Sequence, residues 1–363
     1  MKGNLKKFLI QGIEQGVFPG CALLIAHKGR MELLEWAGSL TGMPGAEAVT
    51  RETIFDLASL TKPLATGLAI MKLVQDNKLK LDQSLTELLS RPVPYDKINI
   101  TPRLLLCHSA GLMDYRTFYF ELEKIEPKNR KVVLRDLLIR NPLAYEPGNG
   151  VLYSDLGFMI LEWVIEENAG MALAEFLERY FYGPLGLKRT FLKENVIPLR
   201  FSLDQYAATE NCPWRKRIIQ GETHDENAHA LGGYSGHAGL FGTAEEVYTI
   251  VNFLREHYYG KRNDYLNPEI VRTFFTKQKI VKESTWALGW DSPSAQNSSA
   301  GQYFSVNSVG HLGFTGTSIW MDLEKDAIVI LLTNRVHPTR DNEKIKQFRP
   351  RIHNAVMEEL GLR

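Results

Sequence analysis

Residues 56–63 read Asp56-Leu57-Ala58-Ser59-Leu60-Thr61-Lys62-Pro63 and are followed by apolar positions Leu64, Leu68, Ile70, Leu73 and Val74 at helical spacing. The stretch is an S-x-x-K at the start of a helix that runs to about Gln75. Residues three apart on a helix share a face, so the Ser59 hydroxyl and the Lys62 ammonium come within hydrogen-bond reach. A serine hydroxyl needs such a neighbour to become a nucleophile, because its own proton is lost far above neutral pH. The N-terminus of a helix also favours developing negative charge. Pro63 is tolerable because the first turn has few intrahelical N–H bonds to lose. Taken alone, Ser59 and Lys62 read equally as a helix cap and an exposed lysine.

Two further stretches decide between those readings. Tyr153-Ser154-Asp155-Leu156-Gly157 follows Pro147-Gly148 and opens a helical pattern, and Gly310-His311-Leu312-Gly313-Phe314-Thr315-Gly316 is a Gly-rich segment leading into a strand. In this order the three motifs resemble those of the serine hydrolases of the β-lactamase and penicillin-binding type. The chain is most similar to their class C β-lactamase branch, with its esterases and D-aminopeptidases, which carries Y-x-N as its second motif. The resemblance extends over essentially the whole chain. It includes Leu104-Leu105-Leu106-Cys107-His108-Ser109-Ala110-Gly111-Leu112, Gly236-His237-Ala238-Gly239-Leu240-Phe241 and Leu331-Leu332-Thr333-Asn334.

The resemblance implies that Ser59 is the acylated nucleophile, Lys62 its partner in proton transfer and Tyr153 the second acid or base. It also implies an oxyanion hole from the backbone N–H groups of Ser59 and Phe314, and substrate contacts from Asp155, His311 and Gly313. Two positions depart from the pattern. Asp155 replaces the family's Asn, turning an amide that donates to substrate into an acceptor-only carboxylate that can pair with Lys62 and hold it charged. His311 replaces the Lys of K-T-G, and an imidazole with an unperturbed pKa near 6.5 is largely neutral at pH 7. The substitution predicts a weaker hold on a substrate carboxylate. It favours small esters, amides and D-amino-acid peptides over β-lactams, with a true class C-like β-lactamase and a catalytically weak penicillin- or peptidoglycan-fragment-binding protein as the alternatives.

His224-Asp225-Glu226-Asn227, with His229 and His237 nearby, carries zinc-ligand residue types, yet the spacing fits no standard zinc motif and the resemblance calls for no metal or other cofactor. The segment is expected to line the cleft, with Asn227 and Tyr234 against substrate. His108 and Ser109 read as a structural turn.

Further out, Leu5, Phe8, Leu9 and Ile13 mark an amphipathic first helix, and Cys21 to His27 and Met31 to Trp36 read as a β-hairpin across Lys28-Gly29-Arg30. Helical patterns dominate from about 80 to 260. Beyond them, Trp286 to Trp290, Tyr303 to Val306, Ser318 to Leu323 and Ala327 to Thr333 read as strands before a last helix near Asn342 to Leu360, which Pro350 is expected to kink or delay. The fold class is α+β, β-lactamase/transpeptidase-like, an antiparallel sheet flanked by helices plus an all-helical domain. Residues 1–65 and 265–363 form the discontinuous sheet domain, 66–264 the mostly helical one, and the active site lies in the cleft between them.

The 363 residues, 44% hydrophobic, balance 43 Lys+Arg against 42 Asp+Glu, so no cationic excess is present to hold nucleic acid or an anionic membrane. The longest apolar run, Ala327 to Leu332, is far short of the roughly 20 residues a membrane span needs. Cys21, Cys107 and Cys212 suit no disulfide framework and fit a reducing compartment, and the first helix lacks the continuous apolar stretch of a signal peptide, which together suggest a cytoplasmic protein. The expected partner is a small-molecule ester, amide or peptide substrate.

Overall fold

The computed structural model describes residues 2–195 and 199–363. Strands β1 (Gly20–His27) and β2 (Arg30–Gly38) form the expected hairpin, and β3 (Val309–Leu312), β4 (Ser318–Asp322) and β5 (Ala327–Thr333) come from the other end of the chain. They join in one antiparallel sheet of order β2-β1-β5-β4-β3, with Cys21 opposite Thr333 and Leu312 opposite Ser318.

Both central strands are buried along almost their whole length, which requires cover on both faces. The two-residue period sorts their side chains accordingly. Leu23, Ile25, Val329 and Leu331 pack with Leu5, Leu9, Phe348, Ile352 and Val356 of the terminal helices α1 (Lys2–Glu14) and α5 (Ile345–Glu359), which holds Pro350 in its interior. Ala22, Leu24, Ala26, Ile328, Ile330 and Leu332 face the larger helical body. That body includes α2 (Leu68–Gln75), α3 (Asp155–Ala169) and α4 (Ala244–Tyr258). Helix α4 packs directly on β1 and β5, so the cover of the sheet draws on the stretch 66–264 as well as on the chain ends.

Two strand assignments fail. Residues 286–290 and 303–306 form turns and bends, with Ala287 N–H bonded to the Trp290 carbonyl, because Ser284, Gly289 and the Ser305 contacts to Asp322 interrupt any ladder. A small three-stranded sheet not foreseen in the sequence, Phe55–Asp56, Leu240–Gly242 and Phe191–Leu192, links the start of the S-x-x-K segment to the 236–241 loop. Its strands are two or three residues long, too short for any periodicity to show.

Candidate active site

Ser59 sits in a single 3-10 turn, Ala58–Leu60, and Lys62 opens a π-helical turn, Lys62–Gly67, that becomes α2 only at Leu68. Pro63 lacks the N–H that regular α-helix bonding would use, which accords with the wider turn. Ala58 is held at φ 47°, a left-handed conformation costly for a residue with a Cβ. Buried bonds fix it there. Ala58 N–H donates to Asp56 Oδ1 at 2.8 Å, while Asp56 Oδ2 accepts the His224 N–H at 2.7 Å. The Thr315 and Thr317 hydroxyls donate to the Asp56 and Leu57 carbonyls, tying the β3–β4 turn to the Ser59 turn.

Lys62 Nζ is fully buried and has three acceptors: Ser59 Oγ at 3.1 Å, Asp155 Oδ1 at 2.6 Å and the His237 carbonyl at 3.3 Å. Burial works against its charge, but the Asp155 carboxylate and Tyr153 outweigh it and raise the lysine above its ordinary range. The pairing of Asp155 with Lys62 anticipated from the sequence is present. Tyr153 presents its ring to Lys62, with Nζ 4.8 Å from the ring centroid, and is 37% exposed towards the cleft. Confinement of its hydroxyl, reinforced by Asp155, raises the phenol despite the opposing effect of Lys62.

The elements behind these groups are specific. Ser154 caps α3 by accepting the Gly157 N–H, and its own N–H donates to His108 Nδ1 at 3.0 Å, so the His108 turn is structural as expected. The 235–240 loop is stitched to both helices: Gly236 N–H and Ser235 Oγ bond Glu162, Thr66 Oγ1 donates to the Gly236 carbonyl, and Leu240 N–H donates to Thr61 Oγ1.

A cavity of about 440 Å³ opens over Ser59. Tyr153, Asp155 and Phe314 line it, as do His224, Asp225 and Glu226 of the segment expected at the cleft, together with Tyr115, Tyr119, His237 and Arg340. Of these last four, His237 alone carried a sequence signal, its place in Gly236–Phe241; Tyr115, Tyr119 and Arg340 reach the cavity through long-range packing.

Four expected substrate contacts take other positions. Asn227 is fully buried, with Oδ1 accepting the Tyr119 N–H at 2.9 Å and Nδ2 donating to the Arg116 carbonyl at 2.8 Å, so it braces the 115–119 loop from behind. Tyr234 likewise lies off the cavity, against Lys131. Gly313 has no room for a side chain: a Cβ there would sit 1.9 Å from Thr317 Oγ1 and 2.6 Å from the Leu57 carbonyl, which makes it the contact point between the two turns. His311 is buried behind Tyr153 and Trp286, and its Nδ1 donates to the Leu312 carbonyl at 2.9 Å. Burial, with Lys62 nearby, pushes its pKa down to about 3. His311 is therefore a neutral imidazole whose Nε2 carries a lone pair, not a cation.

Asp155, Asp225 and His237 bring one donor atom each within 4.8 Å of one another. Protein groups already satisfy these charges: Lys62 sits on Asp155, and His237 Nε2 on Asp225 at 2.9 Å. A metal-ligating imidazole ordinarily anchors its second nitrogen on an acceptor, and His237 Nδ1 has none among the described residues. His224 pairs with Glu210, and His229 with Glu222, so the remaining histidines of the segment do not join the group. The arrangement fits an internal charge cluster better than a metal centre.

Comparison with known proteins adds to this geometry. A family model described as Beta-lactamase matches residues 5–352. The chain is 32% identical over 359 residues to the "N-acetylmuramyl-L-alanine amidase" of Bacillus subtilis (strain 168), covering 90% of this chain and 80% of that one. It is 30% identical over 370 residues to the "Putative D-alanyl-D-alanine carboxypeptidase" of Escherichia coli O157:H7, covering 94% and 84%. Among solved structures, "EstCE1, a hydrolase with promiscuous acyltransferase activity" superposes with a TM-score of 0.74 at 23% identity, covering 97% of each chain.

Proposed function

The chain belongs to the Beta-lactamase family and is a serine hydrolase, and from that premise we propose that it cleaves a carboxylate-free amide or ester through an acyl-Ser59 intermediate. Ser59 Oγ attacks the substrate carbonyl carbon and its proton passes to the Lys62–Tyr153 pair. The C–N or C–O bond then breaks, and the leaving group takes that proton from Tyr153. Water next attacks the acyl-enzyme and gives its proton to the Lys62–Tyr153 pair, which passes it to Ser59 Oγ as the Oγ–acyl bond breaks and the acid product leaves. The backbone N–H groups of Ser59 and Phe314 hold the oxyanion.

The observation that carries the substrate preference is the state of the basic side chains. His311 is neutral, Lys62 is paired with Asp155, His237 with Asp225, and Arg340 with Glu210 and Glu226. A substrate carboxylate therefore finds no unpaired cation among the described residues lining the cavity. The name of the Bacillus subtilis relative supports an amide bond as the target, of the N-acetylmuramyl-L-alanine type. Among the described residues no helix is long and apolar enough to cross a membrane. The three cysteines are buried and unpaired, which supports a reducing, cytoplasmic setting, and the balanced charge supports a small-molecule partner over nucleic acid.

The test compares a chromogenic short-chain ester, a C-terminally amidated N-acetylmuramyl-L-alanyl peptide, a peptide ending in D-alanyl-D-alanine and a chromogenic cephalosporin, on wild type and Ser59→Ala. The expected result is turnover of the first two at a kcat/KM at least about tenfold above the carboxylate-dependent pair, the worth of one lost charge-assisted hydrogen bond. All of it should vanish in Ser59→Ala. Preference for the D-alanyl-D-alanine peptide or the cephalosporin would overturn the substrate reading, and activity retained in Ser59→Ala would overturn the nucleophile.

A further inference from the structure

The 236–241 loop places a second charge pair beside the first. His237 is 1% exposed, its Nε2 lies 2.9 Å from Asp225 Oδ1, and its own backbone carbonyl accepts the Lys62 ammonium at 3.3 Å. Asp225 is fixed in turn, since the same Oδ1 accepts the Ala228 N–H at 2.8 Å and caps the short helix Glu226–Ala230. We propose that Asp225–His237 is a positioning ion pair that orients Lys62 through the His237 carbonyl and, through the imidazolium charge, sets the proton affinity of the Lys62–Tyr153 pair.

Lys62, Asp155, Asp225 and His237 form an alternating quartet in a largely desolvated space, where each charge is felt strongly by its neighbours. Burial works against a charged His237, but the Asp225 carboxylate and hydrogen bond outweigh it and raise its pKa. Burial likewise disfavours the Asp225 anion, yet His237 and the Ala228 N–H bring it well below the usual carboxylate range. The imidazolium repels the proton shared by Lys62 and Tyr153, and so favours the deprotonated form of that pair which accepts the Ser59 proton. The other titratable groups around the quartet are Tyr153, Tyr115 and Glu226 on the cavity side, His224 beyond Asp225, and the buried His108 and His311 behind Lys62. Burial, with Lys62 close by, lowers both of these last imidazoles, so they stay neutral and His237 stands as the charged imidazole next to Lys62.

This inference rests on Ser59 and Lys62 acting as proposed above, so Ser59→Ala accompanies every measurement. The experiment is the pH dependence of kcat/KM for the chromogenic ester in wild type, His237→Gln and the double variant Asp225→Asn/His237→Gln; His237→Asn replaces His237→Gln if the latter folds poorly. Removing the imidazolium leaves Asp225 uncompensated, and the ascending midpoint should move up by about one unit. That is a roughly tenfold loss below the midpoint with the high-pH plateau largely kept. The double variant, neutral at both positions, should return towards the wild-type midpoint. A uniform loss at all pH values with an unmoved midpoint, or a double variant displaced as far as the single one, would overturn the proposal. Activity surviving in Ser59→Ala would instead overturn the nucleophile on which it rests.

Discussion

The floor and the outer wall of the cleft are built by different means. On the floor, the Ser59 turn and the β3–β4 turn are joined by threonine hydroxyls on backbone carbonyls and by the Gly313 contact with the Leu57 carbonyl, all between buried groups. On the wall, the segments around Tyr115–Tyr119, His224–Glu226 and Arg340 are held by side chains reaching across long sequence separations. Asn227 braces the Tyr119 N–H, and Arg340 joins Glu210 to Glu226. Although Asn227, Glu210 and Glu226 are buried, each wall contact depends on a side chain reaching a partner far away in sequence, so a single substitution can alter it. The floor is therefore suited to holding the reaction constant, and the wall to varying what is bound.

The largest effect should come from the floor. Lys62→Met removes the partner of Ser59 while filling a similar volume, and kcat for the chromogenic ester should fall by roughly 10²–10⁴-fold, the usual contribution of a positioned acid or base. Asp155 keeps some access to the cavity and can be hydrated when left alone, so the thermal midpoint should change little. A loss confined to KM would show that Lys62 belongs functionally to the wall.

Asp155→Asn, which restores the family's residue, probes the floor more finely. The carboxylate is the main group holding Lys62 charged against burial. Without it the folded-state pKa of Lys62 falls, so the ascending limb of kcat/KM should move to lower pH, opposite to His237→Gln. The sign for stability follows from the same pairing. A lysine raised in the folded state stabilises fully below its unfolded pKa and loses that contribution as pH rises through the folded value. The variant should accordingly be less stable than wild type at neutral pH, and the difference should narrow in strongly alkaline solution. A limb that stays in place would show that Lys62 titration does not govern acylation.

The same division explains what could be read from the sequence. Ser59, Lys62, Tyr153 and Asp155 converge as expected because each lies at the start of a helical segment, where local spacing and capping fix direction. The sheet was legible in β1, β2, β4 and β5, whose apolar runs are long enough to show a pattern. Residues 286–290 and 303–306 are equally apolar, but turn contacts rather than a ladder satisfy their backbone, and composition does not distinguish the two. Asn227, His311 and Gly313 were assigned to substrate by their place in or near motifs. Their actual surroundings depend on contacts with residues 116–119, Trp286 and Leu57, none of them adjacent in sequence. His237 shows the converse, a residue quoted in a motif whose partner Asp225 becomes evident only when the two loops meet.

The smallest effect should be Asn227→Ala, on the wall. It leaves the Tyr119 N–H and the Arg116 carbonyl without their amide partner behind the cavity, at a cost of about 1–3 kcal/mol if both stay buried. The loop can recover part of this by shifting towards water, since neighbouring Phe120 is already exposed. Such a shift moves Tyr115 and Tyr119 without touching Ser59, Lys62 or Tyr153. The expected kinetic signature is a KM raised by roughly two- to fivefold for the muramyl-type peptide, with kcat for the small ester unchanged, because uniform binding is lost while transition-state contacts remain. An equal fall in kcat for both substrates would mean that the wall also holds the floor in place, and the separation of the two regions would no longer stand.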